Sequence, residues 1–373
     1  MHFSKIAALA AAFGPLVSAH PGHDHKAELA ERAAILSKLS RKDLSHCAAK
    51  LKARGIEARS IKRRNALAAE ILKRSNIKRD VTEVLATSHH SSESYTLATP
   101  ESTIFATNNS CVLSPEVTEG PYYVAGEYIR QNVIESQAGV NLTLDIQVLD
   151  TETCEPVTGA YLEIWHCNST GVYSGVSASG NGNSATDTSN LDATFLRGVQ
   201  LTDSDGTVQF DTLFPGHYTG RTNHIHVMVH MNATATTTNN TLLDTTHVGH
   251  VGQIFFDQDL VTQVEATSVY AANTQTLTTN DEDGILTQEA ATSDPLMEYV
   301  LLGSSVDEAG LLGWISFGIN TTLSKEVSAA ATLYETGGQT NAGSGVGGGP
   351  GGPPSGTGVP TGGVPTGTGA PTA

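Results

Sequence analysis

Past residue 79 the chain has almost no positive charge. Of its 21 Lys and Arg, only Arg130, Arg197, Arg221 and Lys325 lie beyond that point, whereas most of the 38 Asp and Glu do. Four cations against 32 acids leave residues 80–373 with a formal charge of −28. Such a body repels nucleic acid and anionic membrane surfaces, so neither is an expected partner. Long apolar runs are missing too. The run from Ile6 to Val17 is too short for a membrane span. With Lys5 before it and Val17-Ser18-Ala19 after it, residues 1–19 read as a cleavable secretion signal, and an extracellular product is expected. The C-terminus lacks the apolar run of a lipid-anchor signal, so no membrane anchor is expected.

Cysteine is sparse. Cys47, Cys111, Cys154 and Cys167 allow three full pairings in an oxidising compartment. Six glycosylation sequons, at Asn108, Asn141, Asn168, Asn232, Asn239 and Asn320, fit the secretory reading.

The uneven charge also divides the chain. Residues 20–79 carry the cations, with apolar residues such as Leu29, Ala33, Ile35 and Leu36 at helical spacing, and they end at the dibasic Lys78-Arg79. This pattern predicts a basic helical propeptide cut after Arg79, or a helical first domain that stays attached. If Cys47 pairs with the body, the segment stays tethered; if it leaves, an odd number of cysteines remains. Residues 337–373 are rich in Gly, Pro, Thr and Ser with almost nothing to bury, which predicts a disordered tail.

Between these ends, residues 80–336 read as strands. Leu142, Leu144, Ile146 and Val148 alternate along one segment, and Val208 and Phe210 do so after the turn Asp203-Ser204-Asp205-Gly206. An all-β domain with an antiparallel β-sandwich core is expected. In NHIHVMVHM, period two puts His224, His226, Met228 and His230 on one face and Ile225, Val227, Val229 and Met231 on the other. The aliphatic face can join a core. The imidazole face then needs solvent, hydrogen-bond partners or a metal.

His-x-His on a strand aims two imidazoles at one point, but most such pairs are structural. With so few cations, Arg221 three residues before His224 suggests a fixed charge beside a site, and Arg197 either a second one or a salt bridge. Upstream, WHCNSTGVYSG ends a strand in a Gly turn that presents Tyr173, and PGHY presents Tyr218. Two tyrosines and two histidines form a ligand set whose hard phenolate oxygens favour Fe(III). Against this stands a structural reading, in which Tyr218 is a packing residue of a transthyretin-like sandwich module that binds at a cell surface or wall. A third reading uses His20, exposed by cleavage after Ala19, as a copper ligand.

These motifs resemble the intradiol ring-cleavage dioxygenases, in particular the secreted fungal branch. WHCNSTGVYSG resembles the segment that carries the family's first tyrosinate ligand, here Tyr173. PGHY resembles the turn with the second, Tyr218, and RTNHIH the Arg-x-x-His-x-His that supplies His224, His226 and Arg221. GQIFFDQD places Gln253 near the site, and EGPYYV places Tyr122 and Tyr123 at the border of the substrate pocket. The resemblance implies non-haem Fe(III) held by Tyr173, Tyr218, His224 and His226, with a small aromatic diol and O2 as substrates. It makes Tyr218 the ligand that leaves and acts as base, with Arg221 stabilising charge on the substrate and Gln253 orienting oxygen. His217 has no role in it. The short link from Tyr218 to His224 predicts a more open pocket than the bacterial catechol enzymes have.

Overall fold

The computed structural model describes residues 30, 44–75, 110–111, 120–178, 182–236, 240–243, 247–290 and 294–341. The residues read as a secretion signal, the dibasic pair, His20 and most of the residues read as a C-terminal tail lie outside them. In chain order the first strands are β1 (Ser110–Cys111), β2 (Val124–Ala125), β3 (Asn141–Asp150), β4 (Tyr161–Trp165), β5 (Arg197–Leu201), β6 (Thr207–Leu213) and β7 (His224–His230). After them come β8 (Thr234–Ala235), β9 (Leu242–Leu243), β10 (His247–Val248), β11 (His250–Phe255), β12 (Glu298–Leu301), β13 (Leu311–Ile319), β14 (Lys325–Glu326), β15 (Ala331–Tyr334) and β16 (Gly337–Thr340). The α-helices are α1 (Ala48–Ala53), α2 (Ile56–Arg74), α3 (Gln258–Glu265) and α4 (Gly284–Ala290).

Two sheets share the main core. One runs β1-β13-β3-β6 with β12 on β13, and the other runs β11-β7-β4-β5. From the first come Leu142, Leu144, Ile146, Val148, Val208 and Phe210; from the second come Leu162, Ile164, Ile225, Val227, Val229 and Ile254. The period-two alternation of each strand places these aliphatic side chains between the sheets, where their removal from water is the main stabilising term. The expected uniform antiparallel pairing holds in the second sheet but not in the first. There β13 runs parallel to β3 over its whole length, with Leu311 opposite Leu142 and Ile319 opposite Asp150. A parallel pair needs a long crossover, and nothing in the local pattern of either strand records it.

The outer face of β3 is not solvated. Asp145 and Gln147 point away from the core and are nevertheless buried, because α2 lies over them. Leu67, Ala68, Ile71 and Leu72 of this helix pack on Val300, Leu302, Leu312 and Trp314. Arg63 makes a two-pronged contact with Asp145 at 2.8 and 2.9 Å, and Arg64 lies 5.2 Å from the centre of the Trp314 ring. Burial lowers the Arg64 guanidinium to about 10, with Asp145 opposing the shift. Cys47 is joined to Cys154 by a disulfide, while Cys167 is a free, buried thiol. At the other end, the first residues of the segment predicted as a tail from Gly337 form a strand. Gly337–Thr340 is a strand paired with Ala331–Tyr334, and its main-chain bonds order it without apolar side chains. Among the described residues no helix is long and apolar enough to cross a membrane.

The docking of α2 and the disulfide make a testable statement about processing. Scission after Arg79 is expected to leave residues 44–75 bound to the body. Electrophoresis of the cut protein should show one band without reductant and two with it. Loss of the segment from the unreduced, native protein would contradict the contacts described.

Candidate metal centre

The other face of the sheet β11-β7-β4-β5 carries the polar side chains that the core excludes. His224 and His226 stand on it two residues apart on β7. The register sets Trp165 of β4 and Gln253 of β11 on either side of His226. Trp165 stacks on the His226 ring at 4.8 Å with an interplanar angle of 3°. Two loops bring the tyrosines to this face. In the first, the Asn168 side chain accepts hydrogen bonds from the backbone of Thr170 and Val172, which folds the turn that ends in Tyr173. The Tyr173 carbonyl then receives the amides of Asn183 and Asn190 at 2.7 and 2.8 Å. The second loop is the Pro215-Gly216 turn before Tyr218. It packs so closely on the first that a side chain at Gly216 would strike the Asn168 carbonyl, and one at Gly171 would strike that of His217. Glycine at both positions lets the two tyrosine loops touch.

The donor atoms converge. Tyr173 Oη and Tyr218 Oη each lie 3.4 Å from His224 Nε2. Adjacent ligands of a first-row ion at right angles sit about 3 Å apart when each is about 2.1 Å from the metal. The His226 ring lies 4.9 Å from the His224 ring and 6.1 Å from that of Tyr173. His224 Nδ1 donates to the Thr222 carbonyl at 2.6 Å, which fixes the tautomer and leaves Nε2 with its lone pair toward the phenols. Burial pushes the Tyr173 phenol well above, and that of Tyr218 above, the ordinary range, and Arg221 acts against both shifts. A cation among these four side chains would offset that desolvation. The set fits a hard trivalent ion.

Arg221 is fully buried. Its Nε donates to Asp283 Oδ2 at 2.8 Å, and its Nη2 donates to Gln253 Oε1. Asp283 also receives the backbone N–H groups of Thr222, Ile285 and Leu286, so it joins the arginine to the start of α4. Arg197 is directed elsewhere. It donates to the Ser174 carbonyl at 2.7 Å and the Tyr122 carbonyl at 2.7 Å, while Glu127 lies 3.7 Å away. It thus holds the chain on both sides of a stacked pair, since Tyr122 lies on Tyr173 at 4.6 Å. Tyr123 packs on Trp165 at 5.4 Å. Tyr173, Tyr218, His224 and His226 are at most 2% exposed, because the segment from Gly120 to Val124 crosses over them.

Six residues named from the sequence, Tyr173, Tyr218, Arg221, His224, His226 and Gln253, are brought together here. Asp283, Glu265, Asn183 and Asn190 support them and were not foreseen. Asp283 and Glu265 lie more than 40 residues from their partners, Asn183 and Asn190 lie 10 and 17 from Tyr173, and none carries a motif of its own.

A family model described as "Dioxygenase" matches residues 118–294, a span that contains all of these residues. An intradiol ring-cleavage dioxygenase of Tetranychus urticae is 35% identical, over 57% of this chain and 97% of that one, with a TM-score of 0.47. The chain belongs to the intradiol ring-cleavage dioxygenase family. The curated relatives match over shorter stretches. A catechol 1,2-dioxygenase of Acinetobacter lwoffii is 34% identical over 28% of this chain and 32% of its own length. Another, from Pseudomonas sp. (strain EST1001), is 42% identical over 16% of this chain and 22% of its own. The chain therefore spans about a third or less of the curated catechol enzymes it matches.

Within this family member the Arg221–Asp283 pair is a stability element. Asp283→Ala leaves a buried guanidinium without its carboxylate and is expected to cost about 3–5 kcal/mol. Denaturant unfolding measures it; an unchanged midpoint would mean that Arg221 finds another partner. Asp283→Asn, which keeps an oxygen for the helix N–H groups, should cost less.

Proposed function

We propose that this protein is a non-haem Fe(III) dioxygenase that opens the ring of a small catechol-type diol with O2 and gives a muconate-type diacid. The observation that carries this reading is the meeting of two buried phenols with a histidine nitrogen at 3.4 Å. Tyr173, Tyr218, His224 and His226 would hold the ion. When bound, Fe(III) supplies a Lewis acid that makes phenol and diol hydroxyls acidic. Hard phenolate donors match it better than they match Zn or Cu(I).

The remaining side chains supply binding, orientation and proton handling. A diol must lose two protons to act as a dianion, and Tyr218 Oη is placed to take one of them. Arg221 presents a positive charge whose direction is fixed by Asp283 and Gln253. Such a preorganised charge stabilises anionic character on the ring without reorganisation during reaction. The Gln253 side chain, opposite His226, helps to orient oxygen. Tyr122, stacked over Tyr173, limits the space to a small, flat substrate and excludes water. The bond that breaks joins the two hydroxyl-bearing carbons, and both atoms of one O2 end in the product's carboxyl groups. No other reductant is needed.

The disulfide Cys47–Cys154 and the leader-like residues 1–19 support a secreted product, as in the fungal branch that the motifs resemble. Sequons in the body support a glycoprotein, with one exception. Asn168 Nδ2 donates to Gln137 at 2.9 Å and would have to break that bond to carry a glycan.

The purified protein is expected to be wine-coloured from tyrosinate-to-Fe(III) charge transfer. It should consume O2 in a one-to-one ratio with catechol, hydroxyquinol or a related diol. Tyr218→Phe should shift or bleach the band, and Arg221→Met should lower kcat by about 10²–10³. A colourless, iron-free protein from iron-replete medium would overturn the assignment.

A further inference from the structure

His217, which the sequence left without a role, points away from the tyrosine and histidine donors. So does Asn223. Each stands immediately before a donor, His217 before Tyr218 and Asn223 before His224. Both are buried, and both reach the same atom. His217 Nδ1 lies 2.9 Å from Glu265 Oε1, and Asn223 Nδ2 donates to that oxygen at 2.8 Å. Glu265 is the last residue of α3, and its side chain is 9% exposed.

We propose that Glu265 is a positioning residue: its one carboxylate oxygen fixes the separation of Tyr218 and His224 by holding, from behind, the residue that precedes each. This rests on Tyr218 and His224 being iron ligands. The turn between them is only five residues long and folds back on itself, with Arg221 N donating to the Tyr218 carbonyl at 3.1 Å and Gly220 at φ +90°. Its middle is held by Thr278, Asp283 and Asn280, through Gly220, Arg221 and Thr222, and its two ends by what grips them from behind. Asn223 also ties the ends directly, by donating to the Pro215 carbonyl at 2.8 Å. On the His217 side, Asn273 Nδ2 donates to the His217 carbonyl at 2.8 Å, and His217 Nε2 faces the Gln275 carbonyl at 3.1 Å. These bonds hold each end to its own surroundings. Among the described contacts only the Glu265 oxygen joins the two outward-facing side chains to each other. Hydrogen bonds to a carboxylate are shorter and about twice as strong as neutral ones, which suits a clamp that must resist changes in the donors it sets.

The test uses the full chain with Glu265→Ala, Glu265→Gln and Asn223→Ala, and with Gln263→Ala, exposed on the same helix, as control. Apo-protein is titrated with Fe(III) nitrilotriacetate, and with Ga(III) as a redox-inert probe, alongside thermal unfolding and the charge-transfer spectrum. Glu265→Ala is expected to bind both ions about 10–100-fold more weakly and to shift the band. Glu265→Gln, which keeps an acceptor oxygen, should recover most of the affinity; Asn223→Ala should fall between; the control should match wild type. If Glu265→Ala does not fold, the other two variants decide. Unchanged affinity and band position in the folded variants, whatever their melting temperature, would overturn the proposal. A wild-type protein that binds neither ion would instead sink the metal site itself, and the positioning role with it.

Discussion

A single strand, β7, forms both a wall of the hydrophobic core and the floor of the candidate site, and the rest of the molecule is arranged around that double duty. Ile225, Val227 and Val229 point into the space between the sheets, while His224 and His226 point to the opposite side. A one-residue slip in register would send the imidazoles into the core and the aliphatic side chains to the site. Pairing on both edges prevents it. With β4 on one side and β11 on the other, Trp165 and Gln253 come to stand beside His226, and the polar face acquires its neighbours from the same hydrogen bonds that build the sheet.

Putting polar groups on a buried face carries an electrostatic cost that local partners offset. Arg221 has Asp283 and Gln253; Arg197 has two carbonyls and the more distant Glu127; His217 and Asn223 share Glu265. Burial pushes both phenols above their ordinary range, a shift that a cation among them would oppose. Around them Val176, Met228, Val251 and Val327 form an apolar shell that keeps water from competing.

The charge imbalance along the chain has a structural counterpart. The acidic body receives cations from the N-terminal segment: Arg59 meets Asp205, Arg63 and Arg64 meet Asp145, and Lys50 and Arg54 meet Glu155. Exposed pairs of this kind contribute little each. The buried Asp145 cluster, together with the Trp314 contact and the apolar side of α2, makes the segment a third layer over the first sheet.

The sequence alone determined what is local. Alternation in β3, β6 and β7 named the core-facing side chains and put His224 and His226 on one face, and the resemblance of short motifs to the family added Tyr173, Tyr218, Arg221 and Gln253, each motif being a local run of residues. What the tertiary structure decided is everything that depends on segments distant in sequence. The parallel pairing of β13 with β3, the seating of α2 on the outer face, the ordering of Gly337–Thr340 against β15, the cover of Gly120–Val124 over the donors, and the roles of Asp283 and Glu265 all arise from contacts made across long stretches of chain. An isolated aspartate or glutamate looks the same in sequence whether it faces solvent or a buried guanidinium. Only the fold, by bringing α3 and α4 behind the Tyr218–His224 turn, gives Glu265 and Asp283 something to hold.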